Sequence, residues 1–235
     1  MRIQKYLSEQ GICSRREAEA LIKRGLVAIN GTVVREMGIQ IDPAHDRVEV
    51  LGQAKLEMAA KTSVIMYKPR GIASSRAKHE GKSVFDLLPQ FKRLNIVGRL
   101  DKASEGLLLL SNDGVLARAI TGDHHGIEKE YTVQVREETN AGRLKSLEPG
   151  IELEDGPTLP VKTQLLDKHS FRIILREGRK HQIRRMCEYL HLTVTQLKRV
   201  RIGASTLRGL KPGDWRILTP EELADLKARN ASSVR

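Results

Sequence analysis

The spacing of hydrophobic positions changes along the chain, and each change marks an element. Ile3, Tyr6 and Leu7 have helical spacing, and Ala18, Leu21 and Ile22 repeat it further on. Between them Ser14-Arg15-Arg16-Glu17 has the S-x-x-E form of a capping box, and Gly25 suits a left-handed helix C-cap. Arg16 and Lys23, seven residues apart, project from one face of this second helix. Asn30-Gly31 between VAI and TVV predicts a hairpin, and 47-RVEVLG-52 a further strand. Residues 52–63, GQAKLEMAAKTS, read as a linker.

Beyond the linker the pattern is mainly that of strands, predicted at 64–69, 107–111, 129–135, 159–166 and 170–176. A short helix at 83–89, a helix at 115–120 capped by Asn112 or Asp113, and a helix at 139–148 interrupt them. Strands in groups with few helices between predict an α+β fold, its mixed, largely antiparallel sheet flanked by helices. The domains are expected at residues 1–57 and 62–235.

The stretch 177-EGRKHQIRRMCEYLH-191 predicts one more helix. Ile183, Met186, Cys187 and Leu190 form its apolar stripe, and His181, Arg184, Arg185 and Glu188 its opposite face. Arg179 and Lys180 fall in the predicted first turn, where cations oppose the helix dipole and an anion is favoured.

Charge narrows the class of partner. The chain carries a net charge of +12. Twelve Lys and Arg against three acidic residues lie between Phe171 and Arg216, and seven against three within residues 1–35. Two separated basic concentrations suggest two grips on one polyanion. An aromatic content of 3% disfavours a base-stacking platform, so phosphate contacts are expected to dominate affinity. No apolar run of about 18 residues predicts a membrane span. The polar N-terminus does not read as a secretory signal, and a cytoplasmic protein is expected. Cys13 and Cys187 are far apart, outside any metal-binding pattern, which predicts neither a disulfide nor a metal site.

The segment 97-VGRLDKASEGLLLLSNDG-114 places a carboxylate between two cations, just before the most hydrophobic run of the chain. The tripeptide Arg-Leu-Asp alone reads as a solvated turn. Taken in order with 129-KEYTVQV-135 and 177-EGRKHQIRRM-186, however, it resembles the pseudouridine synthases, in particular the bacterial ribosomal RNA branch with an N-terminal S4-type RNA-binding domain. Residues 2–25 resemble the S4 domain, 68-KPRG-71 an early family motif, and 214-DWRIL-218 a C-terminal strand. Only Ala103 departs from the usual residues after the aspartate.

The resemblance implies that a uridine, expected to be one of large-subunit ribosomal RNA, is isomerised to pseudouridine without cofactor. It implies that Asp101 is the essential aspartate, attacking C1′, adding to C6 or removing the C2′ proton. Arg184 is expected to clamp that carboxylate and Tyr131 to pack on the target base. RNA contacts are expected from Arg2, Lys5, Ser14, Arg15, Arg16 and Lys23 in the first domain. Lys68, Arg99, Arg179, Lys180, His181, Gln182 and Arg185 are expected to supply them in the second. The partner implied is a structured stem-loop of ribosomal RNA, bound by a monomer. The alternatives are a non-catalytic RNA-binding or ribosome-assembly factor, and a synthase acting on small-subunit or transfer RNA.

Overall fold

The computed structural model describes residues 1–52, 54, 61–122 and 126–231. Its first unit contains α1 (Ile3–Glu9), α2 (Arg15–Lys23) and a three-stranded antiparallel sheet. The strands are β1 (Val27–Ile29), β2 (Thr32–Val34) and β3 (Val48–Val50), in the order β2-β1-β3. The capping box forms as predicted: the Glu17 amide donates to the Ser14 hydroxyl at 3.2 Å, and the Ser14 amide to the Glu17 carboxylate at 2.7 Å. Asn30 and Gly31 both take positive φ, as a tight two-residue hairpin turn requires. Ile3, Leu7, Ala18, Ile22 and Val27 fill this unit's own core.

The second unit runs through β4 (Ser63–Lys68), α3 (Val84–Leu87), β5 (Asn95–Val97), β6 (Glu105–Ser111), α4 (Gly114–Thr121), β7 (Lys129–Val135) and α5 (Ala141–Lys145). Next come the ribbon β8 (Glu152–Leu153) and β9 (Gly156–Pro157), then β10 (Lys162–Asp167), β11 (Ser170–Leu175) and α6 (Gln182–Tyr189). The chain continues through β12 (Val194–Ile202), β13 (Ser205–Thr206), β14 (Trp215–Ile217) and α7 (Pro220–Ala231). Nine strands form one sheet with the path β10-β11-β7-β12-β6-β4-β14, and β5 and β13 join at its sides. Every pairing is antiparallel except β12 with β6, so the sheet is mixed but largely antiparallel.

The leucine run owes its composition to this position. On β6, Leu108 and Leu110 enter one core cluster, with Val64 and Met66 of β4, while Leu107 and Leu109 enter the cluster on the other face. A strand covered on both sides needs no polar alternation, and each leucine so buried contributes roughly 1.5–3 kcal/mol.

One predicted helix is shorter than expected, and one long strand is unpredicted. The helix expected at 139–148 is confined to Ala141–Lys145, with Asn140 as its N-cap, because a residue preceding proline, here Glu148 before Pro149, avoids the helical region. The long strand β12 is not predicted, because its KRVRI segment reads as a basic patch in sequence. The linker expected at 52–63 falls largely outside the described residues.

The two units touch where α1 and α2 meet α4. The Arg118 guanidinium donates to the Ser8 hydroxyl at 2.6 Å, and Lys61 bridges Glu17 (3.5 Å) and Asp113 (3.2 Å), the latter being the N-cap of α4. The other end of α4, at Ile120 and Thr121, lines the cleft that holds Asp101.

Candidate active site

The cleft opens where the sheet splits. One edge of β6 pairs with β5 through Leu109–Ser111 and with β12 through Glu105 and Gly106. Between these pairings the chain from Gly98 to Ser104 leaves the sheet, carrying Asp101. Arg199 of β12 closes the gap from beneath. Its guanidinium, in a residue only 1% exposed, donates to the carbonyls of Gly98 (2.8 Å) and Leu107 (2.7 Å), one on either side of the Asp101 loop. Register shifts on β12 beside Arg199 mark a bulge, a common device for aiming strand residues at a site.

The cleft holds about 1030 Å³ and is lined by Asp101, Tyr131, Lys129, His181, Leu197 and Arg199, among others. Asp101 is partly exposed, with 41% of its side chain accessible, and lies 3.4 Å from His181 Nε2. Tyr131 comes from β7, opposite Arg199 in the ladder, and is buried to 8% exposure. The ion pair expected between Arg184 and Asp101 is absent. Arg184 instead donates to the Ser104 hydroxyl at 3.5 Å, and the Ser104 amide donates to the Asp101 carbonyl at 3.0 Å. Helix α6 accounts for this, since it starts at Gln182, and His181, in a left-handed conformation before it, is the residue delivered to the carboxylate.

Arg179 and Lys180 therefore precede the helix instead of occupying its first turn. Arg179 is held by the Glu177 carboxylate and the carbonyls of Asp155, Gly156 and Pro157. Gln182 is buried, donating to Glu177 at 2.6 Å and accepting from the Arg179 amide at 3.1 Å. Arg185 pairs bidentately with Asp155, at 2.7 and 3.1 Å. These three, expected on RNA, hold the loop and ribbon in place. Lys68 is a clearer correction. It is fully buried and donates to the carbonyls of Pro69 and Ile72, so it meets no phosphate. Burial pushes its pKa down to about 8, against the pull of Asp101 and Glu105.

Of the remaining expected contacts, Arg99 and Lys180 are exposed on the cleft. In the first unit Arg2, Lys5, Arg15, Arg16 and Lys23 are exposed, with Lys5 3.7 Å from Glu9, while Ser14 is engaged as the helix cap. The second basic concentration is weaker than its count suggests. Arg201 pairs with Glu128 and Glu130, Arg216 with Glu222, Arg176 with Glu128, and Arg199 is buried. Both cysteines are buried and free, and burial pushes their thiols up to about 11 for Cys13 and about 12 for Cys187, which leaves them inert. Among the described residues no helix is long and apolar enough to cross a membrane.

Sequence reasoning missed Lys129 and Arg199. Lys129 carries a weak signal, standing two positions from Tyr131 in an alternating strand; Arg199 carries none.

Comparison with known proteins defines the class that this cleft belongs to. Residues 62–189 match the RNA pseudouridylate synthase family and residues 1–48 the S4 domain. The chain belongs to the RNA pseudouridine synthases, and to those that bind RNA through an added S4 domain. It is 40% identical to the ribosomal large subunit pseudouridine synthase B of Bacillus subtilis (strain 168), over 97% of this chain and 96% of that one. It is 38% identical to the dual-specificity RNA pseudouridine synthase RluF of Escherichia coli (strain K12), over 96% of this chain and 78% of that one. A pseudouridylate synthase crystal structure superposes with a TM-score of 0.70 at 28% identity, covering 96% of this chain and 99% of the other.

Proposed function

We propose that the protein isomerises a specific uridine in a stem-loop of large-subunit ribosomal RNA, with Asp101 as the catalytic carboxylate. The observation that carries the reading is the cleft in which Asp101 and Tyr131 face one space, in a chain similar to a large-subunit synthase over nearly its whole length. A uridine reaches such a space only by leaving its stack. Tyr131 then offers a buried aromatic surface for the base, and the half-exposed Asp101 an anionic oxygen for the ribose or the ring. His181 stands 3.4 Å from that carboxylate, and Arg184 acts through Ser104 as a positioning residue for the Asp101 loop. We assign the protein the state of a monomer acting in the cytoplasm. We assign residues 1–57 to RNA binding and 62–235 to catalysis.

The test uses transcripts of ribosomal RNA labelled with tritium at uridine C5, with release of label to water as readout. Stoichiometric release from large-subunit transcripts is expected. Release confined to small-subunit or transfer RNA would reassign the substrate, and binding without release from any RNA would leave a non-catalytic factor.

The first domain is expected to grip phosphates through Arg15 and Arg16, exposed at the start of α2. The double substitution to alanine should lower the slope of log affinity against log salt by roughly 0.7–0.9 for each phosphate left unbound. Single-turnover rate at saturating RNA should not change. Filter binding across a salt series checks this, and an unchanged slope would remove both residues from the interface.

A further inference from the structure

One cation in the cleft is left without a role by the groups assigned so far. Lys129 opens β7 two residues before Tyr131, which puts both side chains on the same face of the strand. It is 8% exposed and lines the cleft together with Asp101 and Tyr131. The neighbouring buried cations are satisfied, Lys68 by the carbonyls of Pro69 and Ile72, Arg199 by those of Gly98 and Leu107. Among the described residues none accepts a hydrogen bond from the Lys129 amine or forms an ion pair with it. Placing a charge in such a position is unfavourable unless something pairs with it. Burial, reinforced by Arg199 on β12 and opposed by Glu177 after β11, brings its pKa down to about 8. The other titratable and charged groups of the cleft are Tyr131 on its own strand, Glu80, then Arg99, Asp101 and Lys102 ahead of β6, and Arg176, Arg179, Lys180 and His181 after β11.

We propose that Lys129 is a catalytic residue that binds the negative charge of the uracil ring while the ring is detached from its ribose. This rests on the isomerisation reading above. When the N1–C1′ bond breaks, its electron pair stays on the ring and spreads over N1, O2 and O4. C1′ is meanwhile held by an Asp101 oxygen, or forms a glycal as the C2′ proton passes to Asp101. After the ring turns, C5 bonds to C1′ as the bond from C1′ to the Asp101 oxygen breaks, or as Asp101 returns the proton to C2′; C5 then loses its proton while N1 gains one, so composition is unchanged. A ring lying against Tyr131 occupies the same space that Lys129 lines, within reach of a cation from the same strand face. A fixed donor aimed at developing charge in a water-poor site acts on the transition state more than on the bound substrate. A pKa of about 8 still leaves the amine mostly protonated at neutral pH, and its lowering makes the ammonium a stronger donor.

The test compares the full-length protein with its Lys129→Met variant on large-subunit ribosomal RNA transcripts made with uridine or with 5-fluorouridine. Conversion is read for both RNAs as loss of the parent nucleoside after nuclease digestion, because C5 of fluorouridine has no proton to lose and its product keeps the fluorine. Fluorine withdraws charge from the ring and makes it a better leaving group, so it lessens the need for a cation. Single-turnover conversion of uridine by Lys129→Met should fall on the order of a hundredfold, as when one such donor is removed elsewhere. RNA affinity should be unchanged, and the defect should be distinctly smaller on fluorouridine. Lys129→Arg serves as a second variant should the first misfold. Wild-type rate should decline above about pH 8 as the ammonium is lost, and the arginine variant should hold its rate there. Equal defects on both RNAs would show a positioning role only, and reduced affinity with an unchanged rate would show a phosphate contact; either overturns the inference. The same follows from coincident pH profiles. A wild-type protein that converts no uridine overturns the functional reading itself, and this inference with it.

Discussion

Asp101→Asn should abolish isomerisation and leave both the fold and the affinity for RNA intact. Asparagine preserves the shape of the side chain and removes only the charge and its nucleophilic or basic oxygen. The structural cost is small, because Asp101 is partly exposed and, among the described residues, the titratable side chain close to it is His181 at 3.4 Å. No buried cation is stranded by the change, since Lys68 and Arg199 are held by backbone carbonyls. RNA affinity should survive for a separate reason: the exposed cations of the first domain lie on another unit, and removing an anion from the cleft does not weaken attraction for phosphate. Loss of the central reacting group of an enzyme costs on the order of ten-thousandfold or more in rate. Tritium release from C5-labelled transcripts measures the loss, while thermal unfolding and filter binding measure what is retained. A variant turning over within about tenfold of wild type would exclude Asp101 as the reacting group, because such a small loss is what general electrostatic support supplies.

How much of this site is legible in the sequence depends on how local each feature is. The α2 capping box, the hairpin at Asn30-Gly31 and the apolar stripe of α6 are set by residues within one or two turns of each other, and the structure contains all three. The leucine run is equally legible as a doubly covered strand, and with it the placement of Asp101 ahead of β6. The start of α6 is not. It depends on Glu177, Arg179 and Gln182 bonding among themselves and to the β8–β9 ribbon, more than twenty residues earlier. Nor can charge be read by counting. Arg201 and Arg185 look alike in a string of basic residues, as do Arg199 and Lys180, yet the first two are paired to distant carboxylates, Arg199 is buried, and only Lys180 of the four faces solvent. A cation's role is fixed by its partner across the sheet, and partners of that kind leave no periodicity behind.

Gly106 shows how closely fold and site are joined. It is the second residue of β6, just after the Asp101 loop, and pairs in parallel with Arg199. Its φ is +105°, in a region closed to side chains, and a Cβ built there would stand 2.3 Å from the Arg199 carbonyl oxygen and 2.8 Å from its amide nitrogen. Both obstacles are backbone, so no side-chain rotation relieves them. Strand β12 must move away from β6, which opens the one parallel pairing of the sheet and draws the Arg199 guanidinium off Gly98 and Leu107. Gly106→Ala should therefore destabilise the protein by on the order of 4 kcal/mol, the combined scale of backbone strain and overpacking. In a chain of this size that lowers Tm by roughly 10 °C. Gly178→Ala is the control, since its Cβ would meet nothing within 4 Å and its φ is ordinary. Calorimetry of the two variants decides the matter. Isomerisation by Gly106→Ala, measured well below its lowered Tm, should also fall, because the Arg199 bonds that fix both ends of the catalytic loop are displaced. A variant that keeps wild-type Tm and rate would show that β12 yields freely, and that the parallel junction does not hold Asp101 in place.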